Sequence, residues 1–201
     1  MELGKLFFQF YGYLSDKLDF PGENGERTYM LRYDYLGGSI VIPCTAEELA
    51  TAPAEGTLVR VLGVVKVDKN KGRITLKPLN FSIQGRDKDF VMPKDADLMA
   101  GAIFEGTIVM TSKDANLFEG KLYRSATVSM FGGAHKFTNL DTETYETFPE
   151  SGLISISGKV DAKIISYKED GRTYKRCENT LIPERVAIPQ AEQKPSKAPA
   201  A

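Results

Sequence analysis

The residues most able to do chemistry are two basic runs. Lys66, Lys69, Lys71, Arg73 and Lys77 face a single acid, Asp68, over twelve residues. A second run holds Lys159, Lys163, Lys168, Arg172, Lys175 and Arg176 against Asp161, Glu169 and Asp170. Cations spaced this way can neutralise a polyphosphate and release its condensed counterions. The same pattern also suits a solvated hairpin with no ligand. Aromatics form the other candidate set: Phe7, Tyr11 and Tyr13, then Tyr29, Tyr33 and Tyr35, then the looser Tyr123, Phe131, Tyr167 and Tyr174. Exposed rings of this kind stack nucleobases without sequence preference. Buried in a core or an interface, the same rings would only pack. Arg32 and Arg124 accompany the second and third aromatic groups as further phosphate contacts.

No catalytic or metal-binding set emerges. His135 is the only histidine, and it has no Cys or Ser motif beside it. No CxxC, P-loop or GxSxG occurs, and no pair of acids is singled out by spacing. The reading is therefore non-enzymatic, with no cofactor and no metal. Net charge is -1, so there is no global basic field. No apolar run approaches the roughly 18 residues of a membrane span. The start, Met1-Glu2-Leu3-Gly4-Lys5, lacks the features of a secretory signal, so a cytoplasmic location is expected. Cys44 and Cys177 are expected as free thiols.

The elements that must carry these residues repeat. Val59, Val61, Gly63, Val65 and Val67 alternate as one face of a strand. Ninety-five residues later Ile154, Ile156, Gly158, Val160 and Ala162 do the same, and Gly132-Gly133 follows Gly37-Gly38 at the same 95-residue offset. Ahead of the first Val strand come a strand over 5–14, with Leu6, Phe8, Phe10, Gly12 and Leu14 on one face, and a loop over 15–26. A strand over 27–36 and a returning strand over 39–43 follow. Gly37-Gly38 predicts the two-residue turn between them. Thr45-Ala46-Glu47-Glu48 predicts a capping box and a short helix to about Ala52. A fifth strand covers 73–83. The second copy repeats this order, with a loop over 111–120 and a poor helix-former over 139–148.

Five strands with a helix between the third and fourth is the order of an OB-fold. The expected architecture is all-β: two tandem OB-fold five-stranded barrels, with a short helix in each or in the first. The expected parts are 1–84 for the first barrel, 85–100 as a linker and 101–189 for the second. Residues 190–201 form a disordered tail, because their Gln, Glu, Lys, Pro, Ser and Ala cannot bury a core. The loop between strands 4 and 5, where both basic runs fall, is one of the places where such folds bind oligonucleotides.

The second half of each copy resembles the single-stranded DNA-binding protein (SSB) family. The residues are Gly56, Val59 to Val67 with Gly63, Lys69 to Arg73 and Thr75 to Ile83, then Gly152, Ile154 to Ala162 with Gly158, Lys163 to Arg172 and Thr173 to Leu181. The resemblance implies a tandem two-OB protein that binds single-stranded DNA and works in replication, repair or recombination. A homo-oligomer, replication or recombination proteins as partners, and a place on the nucleoid are further implications. The sequence departs from that family in having no Trp, in lacking an acidic Phe-terminated tip, and in carrying Asp and Glu in the first loop. The competing expectation is a structural or adaptor protein whose barrels pack on one another or on a protein partner.

Overall fold

The computed structural model describes residues 4–21, 26–35, 37–68, 72–86, 101–169 and 172–189, with the side chains of 84–86, 164, 166–169 and 172–175 left outside that description. The chain is all-β, with two short helices among the described residues. Its first half runs β1 (Lys5–Pro21), β2 (Arg27–Tyr35), β3 (Gly38–Cys44), α1 (Ala46–Thr51), β4 (Thr57–Val67) and β5 (Ile74–Arg86). Its second half runs β6 (Gly101–Phe118), β7 (Lys121–Met130), β8 (Gly133–Thr138), α2 (Thr142–Thr147), β9 (Gly152–Glu169) and β10 (Arg172–Ala187). Of the expected linker, 87–100 lies outside the described residues, as does all of 190–201.

The antiparallel ladders run β3-β2-β1-β4-β5 in the first half and β8-β7-β6-β9-β10 in the second. Alternation sets which side is buried. Leu6, Phe8, Phe10 and Leu14 of β1 and Val59, Val61, Val65 and Val67 of β4 face inward, as their spacing predicts. Ile154, Ile156 and Val160 do so on β9. One continuous hydrophobic core takes residues from both halves.

The mid-strand glycines have a specific cause. Gly63 pairs with Phe8 on one side and Pro78 on the other; Gly158 pairs with Phe104 and Pro183. A Cβ on Gly63 would run into the Lys77 carbonyl and the Phe8 ring, and one on Gly158 into the Ile182 carbonyl. Both glycines therefore let a proline-bearing strand come close beside a phenylalanine.

The strands extend where composition predicts loops. β1 passes Leu14 through a bulge at Ser15, and β6 passes Met110 through one at Thr111. At each bulge the hydroxyl donates to the facing strand, Ser15 Oγ to the Arg32 carbonyl (3.2 Å) and Thr111 Oγ1 to the Thr127 carbonyl (2.9 Å). Two residues on, Lys17 Nζ donates to the Ala52 carbonyl (2.9 Å) and Lys113 Nζ to the Phe148 carbonyl (2.8 Å). Those carbonyls belong to the C-caps of α1 and α2. The Thr45 capping box on α1 forms as its sequence predicts. The second helix forms despite its Thr content, because Asp141 accepts from the Thr144 amide at 2.7 Å. The hairpins close between Tyr35 and Gly38 and between Met130 and Gly133. Their turns thus fall one residue before the Gly-Gly pairs, with Gly37 and Gly132 at positive φ.

Two joints link the halves. β1 pairs with β6 antiparallel, with Phe8 opposite Phe104. β5 meets β10 at a single bridge, Ile74 opposite Asn179. In both joints corresponding positions of the two copies face each other, so a pseudo-twofold relation runs through them. Pairings then form a closed circuit β1-β4-β5-β10-β9-β6, with β2–β3 and β7–β8 attached as flaps.

Candidate nucleic-acid interface

The predicted residues separate into groups. On the outer face of β1, Phe7, Tyr11 and Tyr13 are half-buried. Phe7 lies with Leu62, Leu79 and Ile103 in a shallow groove of about 220 Å³. On β2, Tyr29 is half-buried and Arg32 pairs with Asp34 at 3.0 Å. Tyr33 is only 1% exposed and packs on Phe10 at 5.5 Å between ring centroids, which makes it a core side chain. Burial pushes its hydroxyl pKa up. Tyr35 is also buried; its hydroxyl donates to the Val160 carbonyl at 2.7 Å, and burial pushes its pKa up to about 12.

A cleft of about 670 Å³ opens where β3 runs alongside β5 under α1. Leu31, Ile42, Leu76 and Phe81 give it an apolar floor, with Lys66 and Lys77 at its sides. Phe81 is 41% exposed and faces Tyr33 at 6.5 Å between centroids. An apolar slot flanked by two cations suits a flat, apolar-faced, anionic ligand unit.

The β6–β7 hairpin makes a second feature. Pairing continues to Leu117–Leu122 and Phe118–Lys121, and Glu119 and Gly120 turn with φ of 48° and 75°. Such a turn matches the twist of the strands and fixes the tip. Leu117, Phe118, Leu122 and Tyr123 stand exposed there. The Phe118 and Tyr123 rings meet edge-on at 6.4 Å, and Lys121 Nζ lies 5.4 Å from the Tyr123 ring centre. Arg124 follows, half-buried. The corresponding β1–β2 end instead carries an ion pair, Arg27 to Asp19 at 2.7 Å.

The basic runs behave unevenly. Lys69 and Lys71 lie outside the described residues. Lys163 is exposed on β9; Tyr167, Lys168, Arg172 and Tyr174 lie on β9 and β10 with side chains outside the description. Lys66 sits over the exposed Phe131 ring, 5.0 Å from its centre, with Lys5 at 5.7 Å. Arg73 and Arg176 converge on one carboxylate, Glu178. His135 is largely buried beside them, hydrogen-bonded to the Gly72 main chain. Burial holds its pKa down at about 4, so the ring is neutral at pH 7.

Phe118, Lys121, Phe81 and Glu178 were not singled out by the sequence reading. The signal for the first two is Leu117-Phe118-Glu119-Gly120-Lys121-Leu122-Tyr123, apolar residues flanking a Glu-Gly turn. Among the described residues no group of three His, Cys, Asp or Glu side chains is placed to hold a metal ion, and no helix is long and apolar enough to cross a membrane. Cys44 and Cys177 are free.

No family model matches the chain, and no curated protein sequence matches it. Among solved structures, the chain is similar in fold to the wild-type single-stranded DNA binding protein from Thermus aquaticus, with a TM-score of 0.49 and 11% identity over 96% of each chain. It is likewise similar to a deletion mutant of that protein, with a TM-score of 0.46 and 12% identity over 96% of this chain and 98% of the other.

Proposed function

We propose that this chain is a non-enzymatic binding protein for single-stranded nucleic acid, DNA in the first instance, built as two OB-type modules over 1–84 and 101–189. The observation that carries the reading is the β6–β7 tip, where Phe118 and Tyr123 are exposed on a fixed hairpin with Lys121 beside them. Unpaired bases stack on such rings, and Lys66, Lys77 and Lys163, with Lys69 and Lys71, supply phosphate contacts. The cleft between β3 and β5 offers a second stacking surface at Phe81. Work in replication, repair or recombination, in the cytoplasm on the nucleoid, is the setting this reading fits.

Anisotropy titrations with labelled oligo-dT and with duplex of equal length test it. Single strands should bind more tightly, with a log–log salt slope of about -3.5 for about five phosphate contacts at roughly -0.7 each. Phe118→Ala and Tyr123→Ala should each cost about 1–3 kcal/mol of affinity, at high salt as well as low, with unchanged melting. Equal affinity for duplex, or a flat salt response, would sink the proposal.

A protein-binding or self-associating role is the second reading. Leu62, Leu79 and Ile103 stand 37%, 65% and 48% exposed on one outer face around Phe7. Such a patch suits a protein surface, from a second copy or from a replication or recombination partner. Leu62→Gln with Leu79→Gln should abolish any self-association seen by sedimentation, while strand binding at the hairpin continues.

A further inference from the structure

The joint between β5 and β10 brings unlike residues to corresponding positions. Ile74 faces Asn179, and the preceding residues, Arg73 and Glu178, also correspond. Arg73 Nε lies 2.9 Å from Glu178 Oε1, and Arg176 Nε lies 2.8 Å from the same oxygen. All three side chains are only a third exposed or less. One carboxylate thus holds two guanidiniums side by side and leaves the trio with a net positive charge. A guanidinium carries five N–H donors in a planar fork, and both guanidiniums meet the same Glu178 oxygen as ion pairs.

These groups line a cavity of about 370 Å³ between the halves, together with His135, Lys136 and Thr138 of β8. Lys136 also reaches Asp114, at 3.7 Å. The buried Nδ1 of His135 has no hydrogen-bond partner. In the neutral ring that nitrogen is an acceptor, suited to a ligand hydroxyl. Asn179, which also lines the cavity, bonds the Val41 amide and carbonyl of the other half, an arrangement with no counterpart at Ile74.

We propose that this seam cavity binds a phosphate monoester, either as a free mononucleotide or as the terminal phosphate of a strand. Paired guanidinium forks match the several oxygens of a terminal phosphate better than a single carboxylate does. The volume is that of one small ligand. The site does not rest on the strand-binding reading, since neither Phe118 nor Tyr123 lines it.

The test is an amide and side-chain NMR titration of the full chain with inorganic phosphate, thymidine 5′-monophosphate and thymidine. Phosphate and the monophosphate should shift Gly72, Arg73, His135 and Arg176 saturably, and thymidine should not. Arg73→Gln should weaken the monophosphate about tenfold or more, whereas Phe118→Ala should leave it unchanged. If a 5′-phosphorylated dT oligomer shifts the same signals and its 5′-hydroxyl twin does not, the natural source is a strand end. A response to the free nucleotide alone identifies a mononucleotide. No shift in the wild-type chain at millimolar phosphate and monophosphate overturns the proposal, as does an equal response to thymidine. Unweakened binding by a folded Arg73→Gln chain overturns it too, and if that variant unfolds the wild-type titration decides.

Discussion

Each half of the molecule reaches across to hold the other, and the two grips use different chemistry. The β2–β3 flap holds β9 and β10 through side chains. Tyr35 donates to the Val160 carbonyl, the Ser39 amide donates to Asp161 at 3.3 Å, and Asn179 bonds both the amide and the carbonyl of Val41. The β7–β8 flap holds β4 through main chain. The Val67 amide donates to the Phe131 carbonyl at 3.2 Å, and the Phe131 amide donates to the Gly4 carbonyl at 2.7 Å. The first seam is sealed; the second keeps the cavity with Arg73, His135 and Arg176. A repeated topology therefore leaves the closing residues at the joint free to differ, and a site can grow where one seam goes unclamped.

Breaking the sealed seam should have the largest effect. In Asn179→Leu the Val41 amide and carbonyl lose their partner while Val41 stays buried. Two stranded backbone groups should cost about 3–5 kcal/mol, read from urea melts. A loss below about 1 kcal/mol would mean that water or another group takes over the clamp.

The open seam should show itself through acid. His135 has its pKa lowered from 6.5 to about 4 by burial. Above pH 6.5 the ring is neutral folded and unfolded, so it adds no pH dependence. As pH falls from 6.5 to 4 the unfolded chain takes up a proton that the folded chain refuses, and stability drops by about 3 kcal/mol in all. Below 4 the loss levels off. Melts across that range should slope for wild type and flatten for His135→Gln.

The two turn glycines separate the grips at smaller scale. Gly37 and Gly132 both have positive φ, 91° and 100°. A Cβ on Gly37 meets nothing within 4 Å, whereas one on Gly132 runs into the Val67 carbonyl. Gly37→Ala should cost about 1 kcal/mol, the backbone penalty alone. Gly132→Ala should cost about 2–3 kcal/mol, because the main-chain grip must also move. Equal losses would show that the β7–β8 turn docks loosely.

The parts legible in the sequence are those set by period. Alternation over Leu6–Leu14 and Val59–Val67 decides the inward face, and its recurrence after Ile154 reveals the second copy. Where composition and pairing compete, pairing wins: Ser15–Pro21 and Thr111–Phe118 look like loops, yet a hydroxyl-bridged bulge lets each strand continue. Alternation also leaves open which aromatic row faces the core, so Tyr33 reads as a base platform although it fills the core. The Arg73–Glu178–Arg176 cluster stays hidden for another reason. Charges in a basic run can be counted, but which acid lies opposite depends on a register between halves that no local pattern encodes.

The smallest effects test whether the seams are independent. Tyr35→Phe removes one buried donor from the Val160 carbonyl and should cost about 1 kcal/mol. Burial holds the Tyr35 hydroxyl protonated up to about pH 12, so this contribution should be flat across the neutral range. Tyr35 and Asn179 both tie the β2–β3 flap to the β9–β10 pair, so each orders the strand edge that the other needs. In the double variant Tyr35→Phe with Asn179→Leu the losses should fall short of their sum by more than about 0.5 kcal/mol, since a flap already released has less to lose. Tyr35→Phe with Gly132→Ala touches one contact in each seam with no shared partner, and those losses should add within about 0.5 kcal/mol. Coupling of similar size in both pairs would mean that the seams yield together through the common core. The sealed and open sides would then be one cooperative joint.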